Sequence, residues 1–159
     1  EVELYNYVNL NADDKILMLN MRNHPEVKKW MYNQNDISKE AHFDFIQSLE
    51  GDFERRYFLV KQKTKNIGSV SFSQIDLCNS VELGLYVNPF EHLKGAGKML
   101  EAIAIHYAFI EWGVNKIKLE VLTNNERAIN FYKKCGFKLI DARKNNNKKI
   151  LYMEKEAGS

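Results

Sequence analysis

The chain has 159 residues, of which 45% are hydrophobic and 28% charged, and its formal net charge is +2. This length predicts one domain with a buried core, and no run approaches the roughly 20 apolar residues of a membrane span. The small charge, with basic and acidic residues interleaved, argues against a nucleic-acid surface but is compatible with a small anionic ligand. Cys78 and Cys135 lack Cys-x-x-Cys spacing, so we expect neither a metal site nor a disulfide framework.

No signal peptide is recognisable, and we therefore expect a cytoplasmic protein, a monomer or homodimer, with no membrane partner. Residues 1–156 are interpreted as the single domain. Residues 157–159 (Ala-Gly-Ser) are interpreted as a remnant of cloning or trimming and are left out of the argument.

The first third of the chain predicts a strand followed by short helices. Residues 4–10 are typical of a strand and residues 13–21 of a helix with its apolar residues on one side. Pro25 breaks this helix and opens another, because proline is accepted in a first turn but not in a helix interior. Ser38 is an expected N-cap for a third helix, and Gly51 is its stop signal.

The middle and end of the chain alternate strands and helices. Strands are predicted at residues 56–62, 67–76 and 81–87, with short polar turns that favour an antiparallel meander. An apolar helix, which we expect to be buried, follows at residues 97–112. The last segments predict a strand, a helix and a hairpin at residues 116–122, 125–134, 137–143 and 148–154. This order predicts an α/β fold with a mixed, mostly antiparallel central sheet flanked by helices.

The glycine turn "KGAGKML", residues 94–100, raises the question of a phosphate site. A glycine pair before a helix is more often a simple turn. The pattern is not a Walker A loop, because Met99 follows Lys98, and it is not a dinucleotide fingerprint, because Leu100 occupies the third small position. What remains is a set of backbone N–H groups at a helix N-terminus, where the dipole favours an anion, with Lys94 and Lys98 nearby. A pyrophosphate fits this pattern.

Two motifs resemble a known family. "HLKGAG" (residues 92–97) is similar to the Arg/Gln-x-x-Gly-x-Gly/Ala pyrophosphate loop of the GCN5-related N-acetyltransferases (GNAT), and "NERAINFYKKCGF" (residues 125–137) is similar to their second motif. His92 departs from the usual Arg or Gln. The resemblance implies a GNAT-type fold and acetyl-CoA as cofactor, with coenzyme A as product. The implied cofactor contacts are Leu85, Val87, His92, Lys94, Gly95, Ala96, Gly97, Lys98, Asn125, Phe131 and Tyr132.

The resemblance also implies that Tyr132 is the general acid that protonates the leaving thiolate, although its residue type alone would fit a packed core aromatic. Alternation along "VELGLYV" places Glu82 and Tyr86 on one face, with Gly84 as an expected bulge, and Glu82 is a candidate base. A solvated strand carboxylate is the alternative. His42, whose unperturbed pKa lies near 6.5, is the other candidate base. Cys135 has no paired base that would favour a covalent acyl-cysteine.

The amino-terminal segments "MRNHPEVKKWMYN" and "ISKEAHFDFIQSL" resemble the sugar-nucleotide N-acetyltransferases of the pseudaminic acid pathway, which serves flagellin glycosylation. These enzymes acetylate the 4-amino group of UDP-linked 4-amino-4,6-dideoxy-N-acetyl-β-L-altrosamine. The resemblance implies direct transfer in a ternary complex, with Ser71 as a water-relay partner of the amine. The implied substrate contacts are Arg22, Met31, Tyr32, His42, Phe45, Ser71, Ser73, Gln74 and Tyr86. Two alternatives stay open: a ribosomal-protein or N-terminal amine acetyltransferase, and a non-catalytic CoA-binding regulatory module.

Overall fold

A seven-stranded sheet forms the centre of the molecule in the computed structural model, which describes residues 1–158. Its spatial order is β1, β2, β3, β4, β5, β7, β6. Neighbouring strands are antiparallel except β4 and β5, which are parallel. The strands are β1 (Val2–Asn6), β2 (Arg56–Gln62), β3 (Lys65–Asp76), β4 (Ser80–Val87), β5 (Lys116–Leu122), β6 (Lys138–Asn145) and β7 (Lys148–Glu156). The predicted mixed, mostly antiparallel sheet is confirmed.

Within residues 1–158, five α-helices flank the sheet, and two of them begin at signals read from the sequence. The helices are α1 (Ala12–Asn23), α2 (Pro25–Lys28), α3 (Lys39–Ser48), α4 (Ala96–Ile105) and α5 (Glu126–Lys134). Ser38 Oγ accepts a hydrogen bond from the Ala41 N–H, at 3.1 Å, so the predicted cap of α3 is confirmed. Pro25 occupies the first turn of α2, as predicted. Within residues 1–158, no helix is both long and apolar enough to cross a membrane.

The two faces of the sheet bury different helices. Val81 and Leu83 of β4 lie in the larger buried cluster with Leu100 and Ala104 of α4. Tyr86, of opposite parity on β4, packs against the smaller cluster formed by α1 and α3. We call these the α4 face and the α1 face. Burial of this apolar surface, which contributes a free energy of about 25 cal/mol per Å², holds the helices and the sheet together.

Strands β4 and β5 pair over only three residues and then separate. The pairing joins Ser80 to Lys116, Val81 to Ile117 and Glu82 to Lys118. Beyond Glu82, residues 83–87 of β4 have no ladder to β5, while β5 stays paired to β7 as far as Leu122. We call this wedge the β4–β5 opening. The edge of β4 that faces it presents backbone groups without a strand partner, and such groups bind extended, amide-containing ligands well.

Two predicted elements end more than two residues away from their predicted ends, whereas the other boundaries differ by two residues at most. The first strand ends at Asn6 rather than residue 10, because the Asn6 side chain accepts from the Val8 N–H and caps a 3₁₀ turn at Tyr7–Asn9. The predicted helix at residues 97–112 is α-helical only to Ile105 and continues as a π-helical segment, His106–Glu111. The wider turn lets Tyr107 and Trp112 both contact the ring of Phe72.

The expected bulge at Gly84 was wrong. Pairing is regular from Ser69–Tyr86 through Ser71–Gly84 to Ser73–Glu82, and the register shift lies between Ser73 and Asp76. The glycine serves another purpose, because a Cβ built on Gly84 would lie 2.8 Å from Ser71 Oγ. Glycine at this position therefore makes room for the Ser71 hydroxyl.

Candidate active site

The glycine turn lies at the α4 side of the opening. Gly95 has a φ of 77° and is the N-cap of α4, with no side-chain hydrogen bond capping the first turn. The Ala96 N–H donates a hydrogen bond to the Leu93 carbonyl, at 3.1 Å. A Cβ built on Gly97 would lie 3.6 Å from the Phe131 ring and 3.9 Å from a Val87 methyl group. The turn therefore lies between the end of β4 and α5, with an uncapped helix N-terminus suited to a pyrophosphate.

The lysines of this turn differ in their surroundings. Lys94 and His92 are exposed. Lys98 Nζ lies 3.3 Å from Glu101 Oε1 and 3.9 Å from Cys135 Sγ, and Glu101 is only 3% exposed. Because a buried carboxylate needs a partner, Lys98 neutralises Glu101 in addition to adding positive charge near the turn. Sequence reasoning missed Glu101, although its i,i+3 spacing from Lys98 was a usable signal.

Several of the residues implied as cofactor contacts lie around the opening. Leu85 and Val87 lie on the part of β4 that has left β5. Asn125 caps α5, its Oδ1 accepting from the Ala128 N–H at 3.2 Å. The Phe131 ring contacts the Tyr132 ring, with centroids 5.3 Å apart.

Tyr132 is buried, and its ring contacts both Phe131 and Phe137. Burial, followed by the nearby Cys135 and Glu101, raises the pKa of the Tyr132 phenol well above its ordinary value, so the hydroxyl remains a proton donor at neutral pH. Burial and Glu101 also raise the pKa of the Cys135 thiol. A thiol kept protonated is a poor nucleophile, which agrees with the weak case for an acyl-cysteine.

A pair of carboxyl groups lies on the α1 face where β4 and β5 separate. Glu82 Oε2 accepts from Ser73 Oγ at 3.2 Å, and its carboxyl group is within hydrogen-bond reach of Glu120 on β5. Burial and the neighbouring Glu120 carboxyl raise the pKa of Glu82 to about 7. A carboxyl with this pKa can exchange protons at physiological pH, which is what a general base needs.

Sequence reasoning missed Glu120. The sequence could have shown which face of the sheet Glu120 occupies, because Lys118 and Glu120 alternate with the buried Leu119 and Val121 along β5. Its position beside Glu82 depends on the β4–β5 pairing. The Tyr32 hydroxyl also donates a hydrogen bond to Glu120 Oε1, which brings this predicted substrate residue to the same place.

Hydroxyl-bearing side chains continue the α1 face away from the carboxyl pair. Ser71 lies opposite Tyr57 on β2 and Gly84 on β4. The Tyr7 and Ser69 hydroxyl oxygens are 2.7 Å apart, and Tyr86 lies beside them. Burial raises the pKa of Tyr86, so its hydroxyl is neutral and can donate or accept.

Arg22, near the end of α1, reaches toward Tyr86. Its Nη2 donates to the Asn33 carbonyl at 2.5 Å, while Nη1 is buried with no hydrogen-bond partner within residues 1–158. Burial lowers the pKa of Arg22 from its ordinary value, without removing its charge. An unpaired, buried guanidinium N–H is costly, and an anionic or carbonyl ligand would satisfy it.

The other predicted substrate residues are placed differently. His42 is buried between α3 and α1, where Nε2 lies 2.8 Å from the Lys15 carbonyl oxygen and therefore donates to it. Burial lowers the pKa of His42. These contacts are those of a structural histidine. Because Nε2 already donates to the Lys15 carbonyl, it cannot act as the base or bind the substrate, and both predicted roles of His42 are wrong. Phe45 packs edge-on against Tyr57 at 5.0 Å. Gln74 is exposed, with a φ of 45°, in the register shift beside Ser73.

Comparisons with known proteins agree with this geometry. A model of the acetyltransferase (GNAT) family matches residues 18–137. Two Campylobacter jejuni proteins, each described as acetyltransferase PseH, are 35% and 34% identical to this chain over 140 residues, which is 88% of this chain and 87% of each relative.

Solved structures give the same result. The crystal structure of Campylobacter jejuni N-acetyltransferase PseH in complex with acetyl coenzyme A has a TM-score of 0.80 and 29% identity, covering 99% of this chain and 100% of that chain. A spermidine N-acetyltransferase from Vibrio cholerae, in complex with CoA and spermine, has a TM-score of 0.86 at 21% identity, covering 98% of this chain and 95% of that chain. The latter supports the fold alone. These matches remove the alternative of a non-catalytic CoA-binding module. This chain belongs to the GNAT acetyltransferase family and is an acetyl-CoA-dependent N-acetyltransferase.

Proposed function

We propose that this enzyme acetylates the 4-amino group of a nucleotide-linked amino sugar, UDP-4-amino-4,6-dideoxy-N-acetyl-β-L-altrosamine, in pseudaminic acid biosynthesis. One observation carries the proposal. The α1 face combines a carboxyl pair, Glu82 and Glu120, with the unpartnered Nη1 of Arg22. A substrate with an amine and an anionic diphosphate satisfies both, whereas a polyamine leaves the guanidinium unpaired. The 34–35% identity to the PseH relatives supports the same acceptor class.

The cofactor lies, in this proposal, across the opening from the acceptor. The pyrophosphate binds the N-terminus of α4 at residues 95–98, and the pantetheine arm pairs with the free edge of β4 near Leu85 and Val87. The thioester then reaches the wedge beside Tyr132. Acetyl-CoA supplies the activated acyl group, and the chain supplies position and proton transfer.

The chemical step is a direct transfer. Glu82, with its carboxylate form populated at and above pH 7, takes a proton from the ammonium group, directly or through a water held by Ser71. The neutral amine attacks the thioester carbonyl carbon, an N–C bond forms, and the C–S bond breaks as the CoA thiolate leaves. The proton that the attacking nitrogen still carries is then lost through water to the thiolate, which leaves the amide and CoA. Tyr132 donates its hydroxyl hydrogen bond to the departing thiolate. Because the pKa of this phenol is raised above that of a thiol, hydrogen-bond donation to the thiolate is more favourable than complete proton transfer.

The test measures CoA thiol release with three acceptors: the UDP-4-amino sugar, spermidine and a peptide with a free N-terminus. We expect turnover with the UDP-sugar and at least a hundredfold lower kcat/KM with spermidine and the peptide. These two acceptors lack a diphosphate and so lose the charged, desolvated contact with Arg22. Arg22→Lys keeps the charge but not the guanidinium geometry, and we expect a roughly tenfold higher KM for the UDP-sugar alone. Turnover of the peptide or of spermidine, together with no turnover of the UDP-sugar, would overturn the proposal.

A further inference from the structure

The segment between α2 and α3, residues 29–37, crosses the β4–β5 opening on the α1 face. We call it the bridging segment. On one side, His24, just before α2, packs edge-on against Phe90, just after β4, with ring centroids 5.2 Å apart. On the other side, the Tyr32 hydroxyl donates to Glu120 of β5. The chain therefore passes from the β4 rim to the β5 rim between His24 and Tyr32, through α2 and the start of the bridging segment.

Most of the polar contacts of the bridging segment tie it to its own helices. Asn23 exchanges two hydrogen bonds with the backbone of Ile37, at 2.9 and 2.8 Å. Lys28 forms an ion pair with Asp36 at 2.7 Å. Next to Tyr32, the Arg22 guanidinium donates to the Asn33 carbonyl and the Met31 N–H donates to the Lys28 carbonyl at 3.0 Å. These contacts hold the segment to α1 and α2, and none of them reaches the far side of the opening.

Lys148, the first residue of β7, makes that connection. Its Nζ donates to the Met31 carbonyl at 3.3 Å and to the Tyr32 carbonyl, and the side chain is half-buried. An ammonium group has three donors, so it can hold two adjacent carbonyls at once. Hydrogen bonds with a charged donor are stronger than neutral ones. The contact joins residues 116 positions apart in the chain, across the rim of the opening.

We propose that Lys148 is a positioning residue for acceptor binding: it holds Met31 and Tyr32 against β7, so that the Tyr32 hydroxyl stays on Glu120 beside Glu82. The link to the acceptor amine rests on the proposed function. Lys148 touches neither the glycine turn nor Tyr132, so its effect is confined to the acceptor side. Losing it frees Tyr32 from Glu120 and changes both the shape and the proton sharing of the carboxyl pair.

The experiment compares Lys148→Ala and Lys148→Arg with Lys149→Ala, a matched control one residue along the same strand whose side chain is exposed. Native-state hydrogen exchange reports the segment without any substrate. In Lys148→Ala we expect exchange at the Met31 amide, which donates to the Lys28 carbonyl at 3.0 Å, to rise about tenfold, with α4 unchanged, because the segment loses a charge-assisted hydrogen bond. Lys148→Arg restores protection, and Lys149→Ala has no effect. A thermal melt of each variant checks that the fold is retained.

Steady-state kinetics then separate the two substrates. We expect Lys148→Ala to raise the acceptor KM about tenfold while leaving the acetyl-CoA KM within twofold. Wild-type exchange in Lys148→Ala, equal effects in Lys149→Ala, or an unchanged acceptor KM would each overturn the positioning role. A wild-type enzyme that fails to turn over the UDP-sugar contradicts the proposed acceptor, whereas the exchange result still decides whether Lys148 holds the segment.

Discussion

The two sides of the β4–β5 opening are assembled from the chain in different ways. In the proposed arrangement the cofactor side uses three short stretches, residues 85–87, 92–98 and 125–132, and we expect much of its recognition to come from backbone groups. The acceptor side gathers side chains from α1, β3, β4, β5 and the bridging segment. A backbone cradle tolerates side-chain changes such as His92, whereas an acceptor site made of side chains changes with each substitution.

The charges on the two sides also differ. On the proposed cofactor side, Lys98 is paired with the buried Glu101, so we expect phosphate binding at the turn to depend largely on the helix dipole and N–H groups. On the acceptor side, Glu82 and Glu120 share a partly buried environment and Glu82 titrates near neutral pH. We therefore expect the function of the acceptor side to change with pH and with isosteric substitution of its side chains. We expect the function of the cofactor side to change with added side-chain volume at the turn.

The largest expected effect comes from Glu82→Gln, which removes the base without changing its shape. We expect kcat to fall by about 100-fold, within the usual range for losing a positioned base. The rate of the wild type rises with pH through about 7, where Glu82 loses its proton, and this limb disappears in the variant. Thiol release between pH 5.5 and 9 measures both effects.

The control for Glu82→Gln is Ser73→Ala, which removes only the hydrogen bond to Glu82. We expect it to lower kcat by about threefold, the scale of one ordinary side-chain hydrogen bond. A limb near pH 7 that persists in Glu82→Gln would assign the titration to another group and contradict the base role.

Tyr132→Phe tests the cofactor side at the thioester. We expect kcat to fall about 30-fold, as for a lost hydrogen-bond donor to a developing anion, with the acetyl-CoA KM within twofold. Tyr107→Phe is the matched control, because that tyrosine packs against Phe72 and Trp112 in the π-helical segment. Equal kcat in wild type and Tyr132→Phe means that the hydroxyl has no part in thiolate departure.

Substitutions at Gly97 test the volume of the backbone cradle. Gly97→Ala places its Cβ at ordinary contact distances, 3.6 Å from Phe131 and 3.9 Å from Val87. We expect its acetyl-CoA KM to stay within twofold. Gly97→Val adds two methyl groups in this gap, and we expect about a tenfold higher acetyl-CoA KM at unchanged acceptor KM, the cost of modest overpacking. Calorimetric titration with CoA measures the difference, and equal affinities would contradict a close approach at Gly97.

The smallest effect concerns stability. The folded-state pKa of Glu82, about 7, lies above its value of 4.5 in an unfolded chain. The stabilising, protonated form is therefore fully present below about pH 4.5, and its contribution is lost as pH rises through 7. At pH 8.5 we expect Glu82→Gln to be more stable than wild type by about 1 kcal/mol after solvent screening. At pH 5 the gap narrows. Urea unfolding at both pH values measures it, with the exposed Glu50→Gln as control.

Prediction from sequence succeeded where the signals were local. The parity of "VELGLYV" predicted that Glu82 and Tyr86 share a face, and the register Ser73–Glu82 and Ser69–Tyr86 confirms it. The cap at Ser38 followed from residue type alone. Gly84 failed because a glycine in a strand has two readings, a bulge or a close approach, and only the position of Ser71 Oγ on the neighbouring strand distinguishes them.

The sequence by itself determined the order of the strands and helices, the glycine turn at the start of α4 and the second motif on α5, because each depends on residues close together in the chain. Tertiary structure alone decided that β4 and β5 separate after Glu82 and that the Glu120 carboxyl lies beside that of Glu82. It also decided that the His42 ring donates to the Lys15 carbonyl. Those contacts depend on strand pairing and helix packing between distant segments. Burial then sets the charge state of Glu82, which no local pattern encodes.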